Sequence, residues 1–261
     1  MPHFSTMEYC ETGTVFISGA ARRIGCVIAQ GLAQDGWTIA VHYHQSKVDA
    51  EAVAAEITGR GGRASTFEAD LTDEAATRRV MAAVADELGP ITCLVNNASL
   101  FEEDGPDTTD SSIWDRHMEV NLRAPFVLGQ ELVRLLPGGK SANIINLIDQ
   151  RVANLTPFFT SYTLSKSALW TLTQTQAMAL APRVRVNAIS PGPTLQSKRQ
   201  TEDQFERQYK ATPLERAVGT WEISDAVRFI LATSSMTGQM ITLDAGQHLG
   251  WSLPDQPEME V

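Results

Sequence analysis

Short β-branched runs alternate with helical patterns along almost the whole chain, and no other feature of the sequence narrows the fold as far. Strands are expected over residues 14–18, 37–43, 64–69, 91–95, 142–147, 184–189 and 240–243. Helices are expected over 24–35, 48–57, 73–88, 111–136, 162–180 and 223–231. Gly59-Arg60-Gly61-Gly62, Gly89-Pro90 and Pro137-Gly138-Gly139 punctuate the pattern. Such alternation makes βαβ units, and the crossover helices of those units cover both faces of a parallel sheet. The gaps between elements are mostly short, and no linker-like stretch or repeat divides the chain. One doubly wound α/β domain over residues 1–261 is therefore expected, with seven parallel strands and with 1–12 and 252–261 as tails. The tail after residue 254 carries Asp255, Glu258 and Glu260. It either frays or wraps a neighbour.

Composition limits the partners. With 43% hydrophobic and 20% charged residues the chain has enough apolar surface for a core, which excludes wholesale disorder. A net charge of −10 disfavours nucleic acid or an anionic membrane as partner. No apolar run approaches the roughly 18–20 residues of a spanning helix, and the first residues lack the basic and apolar regions of a secretory signal. Three widely spaced cysteines, Cys10, Cys26 and Cys93, do not make a disulfide framework or a zinc site. These features point to a reduced, cytoplasmic, soluble domain with a substantial core.

The first expected strand runs into Ser18-Gly19-Ala20-Ala21-Arg22-Arg23-Ile24-Gly25. A glycine-containing strand–helix turn lets backbone N–H groups approach a pyrophosphate at a helix N-terminus. By itself such a turn is also an ordinary connection, but Arg22 and Arg23 add guanidinium groups that match phosphate. At the end of the second strand, where NAD-preferring folds place a carboxylate on the ribose, stands His42-Tyr43-His44-Gln45-Ser46-Lys47. Arg22, Arg23, His44, Ser46 and Lys47 could surround a 2′-phosphate, so NADP(H) is the expected cofactor. Asp70, followed by Leu71, suits either the adenine amino group or the cap of the next helix. Asn96-Asn97-Ala98-Ser99 ends the fourth strand, as a backbone platform for a ligand or as a plain polar turn. Tyr162 and Lys166, four residues apart on one helix face, form an acid–base pair. The lysine is expected to lower the phenol's pKa by favouring tyrosinate. Asn121 and Asp149 are available upstream.

Taken together these residues resemble the short-chain dehydrogenase/reductase family from about residue 14 to 250. Asn96–Ser99 resembles the family's Asn-Asn-Ala-Gly, Val120-Asn121-Leu122 its helix asparagine, and Tyr162 and Lys166 its catalytic pair. Pro191-Gly192 and Thr237-Gly238-Gln239…Asp244-Ala245-Gly246 resemble its later signatures. The resemblance implies a Rossmann-like sheet, with Gly19, Ile24, Gly25, Gln45, Asn97, Ala98, Pro191, Gly192 and Thr194 around the cofactor. It also implies tetramers formed through the helices at 111–136 and 162–180. Three departures stand out. Arg23 replaces the middle glycine of the turn, Ser99 a glycine, and Asp149 the catalytic serine thirteen residues before the tyrosine.

Pteridine reductases and the related dihydromonapterin reductases share this combination, and Phe101 stands where their phenylalanine flanks the pterin. The resemblance thus implies NADPH-dependent reduction of a C=N bond in a pterin or dihydrofolate. In it Tyr162 and Asp149 handle the proton, Lys166 binds the nicotinamide ribose, and Asn121 holds a water relay. Arg23 would bind cofactor phosphate and the substrate, and Ser99 would line the substrate site. A carbonyl reductase for ketones or 3-oxoacyl thioesters is the alternative, and a non-catalytic NADP-binding regulator a second one. His3, His117 and His248 lack metal-ligand spacing, so no metal is expected. Cys26 and Cys93 read as buried filler, and Trp114 and Trp170 as packing. Glu102-Glu103-Asp104 reads as a solvated loop or the border of a substrate mouth.

Overall fold

The computed structural model describes residues 12–250; Cys10, His3 and the expected tails, Thr12 apart, lie outside them. Seven strands, β1 (Thr14–Ile17), β2 (Thr38–Tyr43), β3 (Arg63–Glu68), β4 (Ile91–Asn96), β5 (Ala142–Leu147), β6 (Val184–Pro191) and β7 (Met240–Leu243), form one sheet in the order β3-β2-β1-β4-β5-β6-β7. Every pairing is parallel. Period-two alternation of apolar side chains puts Val15 and Ile17 into one core layer and Phe16 into the other. Both layers are apolar because helices cover both faces.

Helices α1 (Arg23–Gln34), α2 (Lys47–Gly59) and α8 (Thr220–Ala232) close the first face, where Ile28, Leu32, Ile39, Val41, Val227 and Ile230 are buried. Helices α3 (Glu74–Leu88), α5 (Ala124–Leu135) and α6 (Thr160–Leu180) lie across the second, over Phe16, Met81, Leu94, Leu128, Leu132 and Ile144. Each such side chain, fully buried, contributes roughly 1.5–3 kcal/mol. The strand order reverses between β1 and β4. Crevices for ligands open at that point, beyond the carboxyl ends of the strands.

The helix expected over 111–136 is interrupted. Helix α4 (Ser111–Met118) runs into a π turn at Glu119–Arg123 before α5 begins. Pro125 has no N–H to give to the carbonyl four residues back, that of Asn121, so regular α-helical bonding cannot continue through this turn. A further helix, α7 (Glu202–Lys210), occupies a stretch the sequence left unread. Thr201 starts it, accepting from Gln204 N–H while the Gln204 side chain accepts from Thr201 N–H. Helix α3 is capped by Asp73, which accepts from Ala75 and Ala76. The capping alternative for Asp70 is thereby corrected: its carboxylate accepts from the N–H and hydroxyl of Thr72 instead. Cys93 is buried as expected, but Cys26 is only half-buried.

Candidate active site

A cavity of about 470 Å³ opens at the sheet's switch point. Gly19, Arg22, Arg23, Ile24 and Gly25 border it after β1, and Asn97, Ala98, Ser99 and Phe101 after β4. Asp149 follows β5, Tyr162 and Lys166 project from α6, and Pro191, Gly192 and Thr194 follow β6. The sequence thus anticipates most of the wall. Gln200, Phe205 and Gln208, from the stretch around α7, and Gln247 also line the cavity. No local motif marks them, since only the return of the chain over the cleft puts them there.

The turn after β1 is braced by the segment after β4. Ser18 Oγ accepts from the N–H groups of Asn97 and Ala98, each at 2.9 Å, and Asn97 Nδ2 donates to the carbonyls of Ser18 and Gly19. A Cβ at Gly25 would meet the Gly19 carbonyl and lie 2.6 Å from Asn97 Nδ2, so only glycine allows this approach. Arg22 precedes α1 without a side-chain cap, and the helix has no acidic residue in its first turn. Uncapped N–H groups facing a cavity fit the phosphates of a dinucleotide. His42 supports the turn from below, a role the sequence did not suggest. Its Nδ1 accepts from Gly19 N–H at 3.0 Å, which leaves Nε2 as the donor to Ala69 O at 3.2 Å. Burial holds its pKa down at about 4, so the ring stays neutral and the acceptor stays in place.

The basic groups expected around a 2′-phosphate are less gathered than the sequence suggests. Arg22 is paired with Asp49, Lys47 with Glu51 at 3.9 Å, and His44 with Asp70 at 3.7 Å. His44, Gln45, Ser46, Asp70 and Leu71 sit at the ends of β2 and β3, outside the border of the cavity itself. Arg23 adopts a left-handed φ of 54° where a glycine would be unstrained. Its guanidinium reaches across the cleft to the carbonyls of Leu195 and Gln196.

On the opposite wall the Tyr162 hydroxyl donates to Asp149 Oδ2 at 2.8 Å, while Asp149 Oδ1 accepts from Arg151 N–H at 2.9 Å. Lys166 Nζ donates to Leu147 O at 2.8 Å and stands 5.7 Å from the Tyr162 ring centre. Both side chains are almost fully buried. Burial lowers the Lys166 pKa to about 8 against the opposing pull of Asp149. The phenol corrects an expectation: burial, and next the Asp149 carboxylate, push its pKa well above the ordinary value rather than below it. Tyr162 therefore holds its proton. Phe101 stacks on Phe159 with ring centres 4.3 Å apart and meets the Tyr162 ring edge-on at 4.7 Å. The Arg151 guanidinium lies over both phenylalanine rings.

Asn121 sits in the π turn, outside the cavity lining and fully buried. Its Oδ1 accepts from Leu100 N–H at 2.8 Å and from the Ser99 hydroxyl, and its Nδ2 donates to Leu100 O and Ser165 Oγ. The side chain thus fastens the Ser99–Leu100 backbone to α6. The acidic stretch after Phe101 is not a solvated loop: Asp104 is buried, and Glu102 forms an ion pair with Arg199. Among the described residues no group of His, Cys, Asp and Glu could hold a metal.

With sheet, turn and Tyr–Lys pair in place, the chain belongs to the short-chain dehydrogenase/reductase family. A family model described as enoyl-(acyl carrier protein) reductase matches residues 19–248. Among solved structures, FolM alternative dihydrofolate reductase 1 from Brucella canis, complexed with NADP, is 46% identical, with a TM-score of 0.90 over 96% of this chain and 99% of that one. Its counterpart from Brucella suis is 47% identical, also with a TM-score of 0.90, over 95% and 99%. The 3-oxoacyl-[acyl-carrier-protein] reductase FabG of Staphylococcus epidermidis is 29% identical over 90% of this chain and 99% of its own length.

Proposed function

We propose that this NADP-dependent short-chain oxidoreductase reduces a C=N bond of a pterin-type substrate such as a dihydropteridine, dihydromonapterin or dihydrofolate. The observation that carries the reading is the Tyr162–Asp149 hydrogen bond of 2.8 Å. A serine hydroxyl in place of Asp149 could donate to a ketone oxygen; a carboxylate cannot, but it can accept from the N–H groups of a heterocycle. The likeness to the two Brucella FolM proteins supports the same substrate class.

NADPH, when bound, supplies the hydride for the carbon of the C=N bond. Gly19, Arg22, Arg23, Ile24 and Gly25 would hold its pyrophosphate at the N-terminus of α1, with Asn97, Ala98 and Ser99 opposite. His44, Gln45, Ser46, Asp70 and Leu71 would take the adenosine end, and Pro191, Gly192 and Thr194 the nicotinamide end. Tyr162 holds the proton for the ring nitrogen at its hydroxyl oxygen, which is hydrogen-bonded to Asp149 Oδ2. Lys166 would bind the nicotinamide ribose through its Nζ. Phe101 and Ser99 present a wall on which an aromatic ring could lie, and Arg23 would border both ligands. Asn121 keeps Ser99 and Leu100 against α6. Exposed Trp114, Phe126, Leu164 and Met178 lie on α4, α5 and α6, which supports a homotetramer built through those helices. No described helix is long and apolar enough to cross a membrane.

The test is NADPH oxidation with dihydrobiopterin, dihydromonapterin and dihydrofolate, with NADH in parallel. Pterin turnover preferring NADPH is expected, falling about a hundredfold in Asp149→Ser. A variant with full pterin activity would remove the carboxylate from the mechanism. The second reading, reduction of a 3-oxoacyl thioester, is favoured by the FabG likeness. It predicts turnover of an acetoacetyl thioester and a gain for Asp149→Ser.

A further inference from the structure

Helix α6 begins in an unusual way. Its N-cap residue is Phe159, with a left-handed φ of 58° and no side chain able to accept from the helix. The orphan N–H groups are satisfied from another part of the chain. Asp104 O accepts from Phe159 and Thr160, and the Asp104 carboxylate accepts from Ser161 N–H at 3.1 and 3.2 Å and from the Thr109 hydroxyl at 2.9 Å. A carboxylate here also meets the positive end of the helix dipole.

Beside it, His117 is fully buried on α4. Its Nε2 accepts from Glu102 N–H at 3.0 Å, so the ring is unprotonated at that nitrogen and Nδ1–H donates to Ser161 Oγ at 2.6 Å. One imidazole therefore ties the segment just after Phe101 to the first turn of α6, one residue before Tyr162. Its ring meets the Tyr162 ring edge-on with centres 6.0 Å apart.

We propose that His117 and Asp104 are positioning residues. They lock the segment bearing Ser99 and Phe101 onto the start of the helix that carries Tyr162 and Lys166, and so set the distance between the aromatic wall and the proton donor. The charged groups that bear on His117 are Asp104 and Glu102 from the facing segment, Lys166 from α6 and Arg116 from its own helix. Burial is the largest influence and lowers its pKa from 6.5, with Arg116 and Lys166 acting in the same direction and the two carboxylates against it. Imidazolium has no lone pair for Glu102 N–H, so acid opens the clamp.

The inference rests on the reductase reading of the site, not on the pterin one. His117→Phe keeps a ring and removes both hydrogen bonds; His117→Gln keeps an acceptor near the Nε2 position. With dihydrobiopterin, kcat/KM of His117→Phe is expected to fall about tenfold, through KM more than kcat, with NADPH affinity unchanged and His117→Gln recovering most of the loss. The wild-type acid limb of kcat/KM should vanish in His117→Gln. Wild-type KM in His117→Phe, or the same acid limb in His117→Gln, overturns the proposal. If the wild-type protein reduces no pterin, that failure belongs to the substrate reading, and the same series is run with an acetoacetyl thioester. Amide exchange at Glu102 needs no substrate. Protection lost in His117→Phe and kept in His117→Gln supports the clamp; protection equal in all three proteins overturns it.

Discussion

The two walls of the cleft are built in opposite ways. On the wall made by β5 and α6, Tyr162 and Lys166 are nearly inaccessible, and burial is the largest influence on both of their pKa values. On the rim at the ends of β1 and β2, Arg22, His44 and Lys47 are half or more exposed, and each faces a carboxylate. On the buried wall Tyr162, Asp149 and Lys166 all have partners, and leaving one of them unpaired would be expensive. The rim holds its charges in water, where ion pairs contribute little to stability and can be exchanged for a ligand's phosphate. The proposed function places the proton chemistry on the buried wall and the choice of cofactor on the exposed rim.

That contrast can be broken most severely at Tyr162. Tyr162→Phe should lower kcat on the order of a thousandfold with NADPH affinity kept, as fluorescence titration would show. An equal loss of NADPH binding would mean that the two walls do not divide the work. Lys166→Met probes the buried wall by pH. The folded-state pKa of Lys166 is lowered from 10.5 to about 8, so below pH 8 the wild-type protein carries the full cost of a buried ammonium. Between pH 8 and 10.5 the unfolded chain binds more protons than the folded one. The wild-type protein should therefore gain stability relative to Lys166→Met as pH rises through that window, by at most about 1.4 kcal/mol per unit in denaturant unfolding. Phe101→Ala removes the stack on Phe159 and should raise the KM for a pterin about tenfold without changing NADPH affinity. The smallest effect on folding belongs to the rim. Arg22→Ala should change stability by less than about 1 kcal/mol, and that change should shrink in salt. Its preference for NADPH over NADH should nonetheless fall severalfold; an unchanged preference would leave Arg22 without a role in cofactor choice.

Every expected strand is present within two residues of its expected ends, because short β-branched runs between breakers show locally. The break in the helix at 111–136 was not foreseen, although Pro125 was visible as its cause. Helix α7 was missed because it is mostly polar and buries none of its residues, so that only Phe205 and Tyr209 mark one face of it in the sequence. In the site, Gly19, Asp149, Tyr162 and Lys166 were legible because each stands at a fixed place relative to a strand end or helix start. Asp104 and His117 were not. Asp104 read as part of an acidic, solvated run and His117 as an isolated histidine, and only the meeting of three distant segments gives them their partners.

By itself, then, the sequence determined the order and type of most elements, the parallel sheet, the glycine turn after β1 and the spacing of the Tyr–Lys pair. These follow from short-range sterics and from a periodicity of two or of nearly four. Tertiary structure decided which charges are neutralised, which way the Tyr162 pKa moves and what caps α6. Those depend on burial and on contacts between residues far apart in the chain, and such contacts exist only once the sheet has brought the strand ends together.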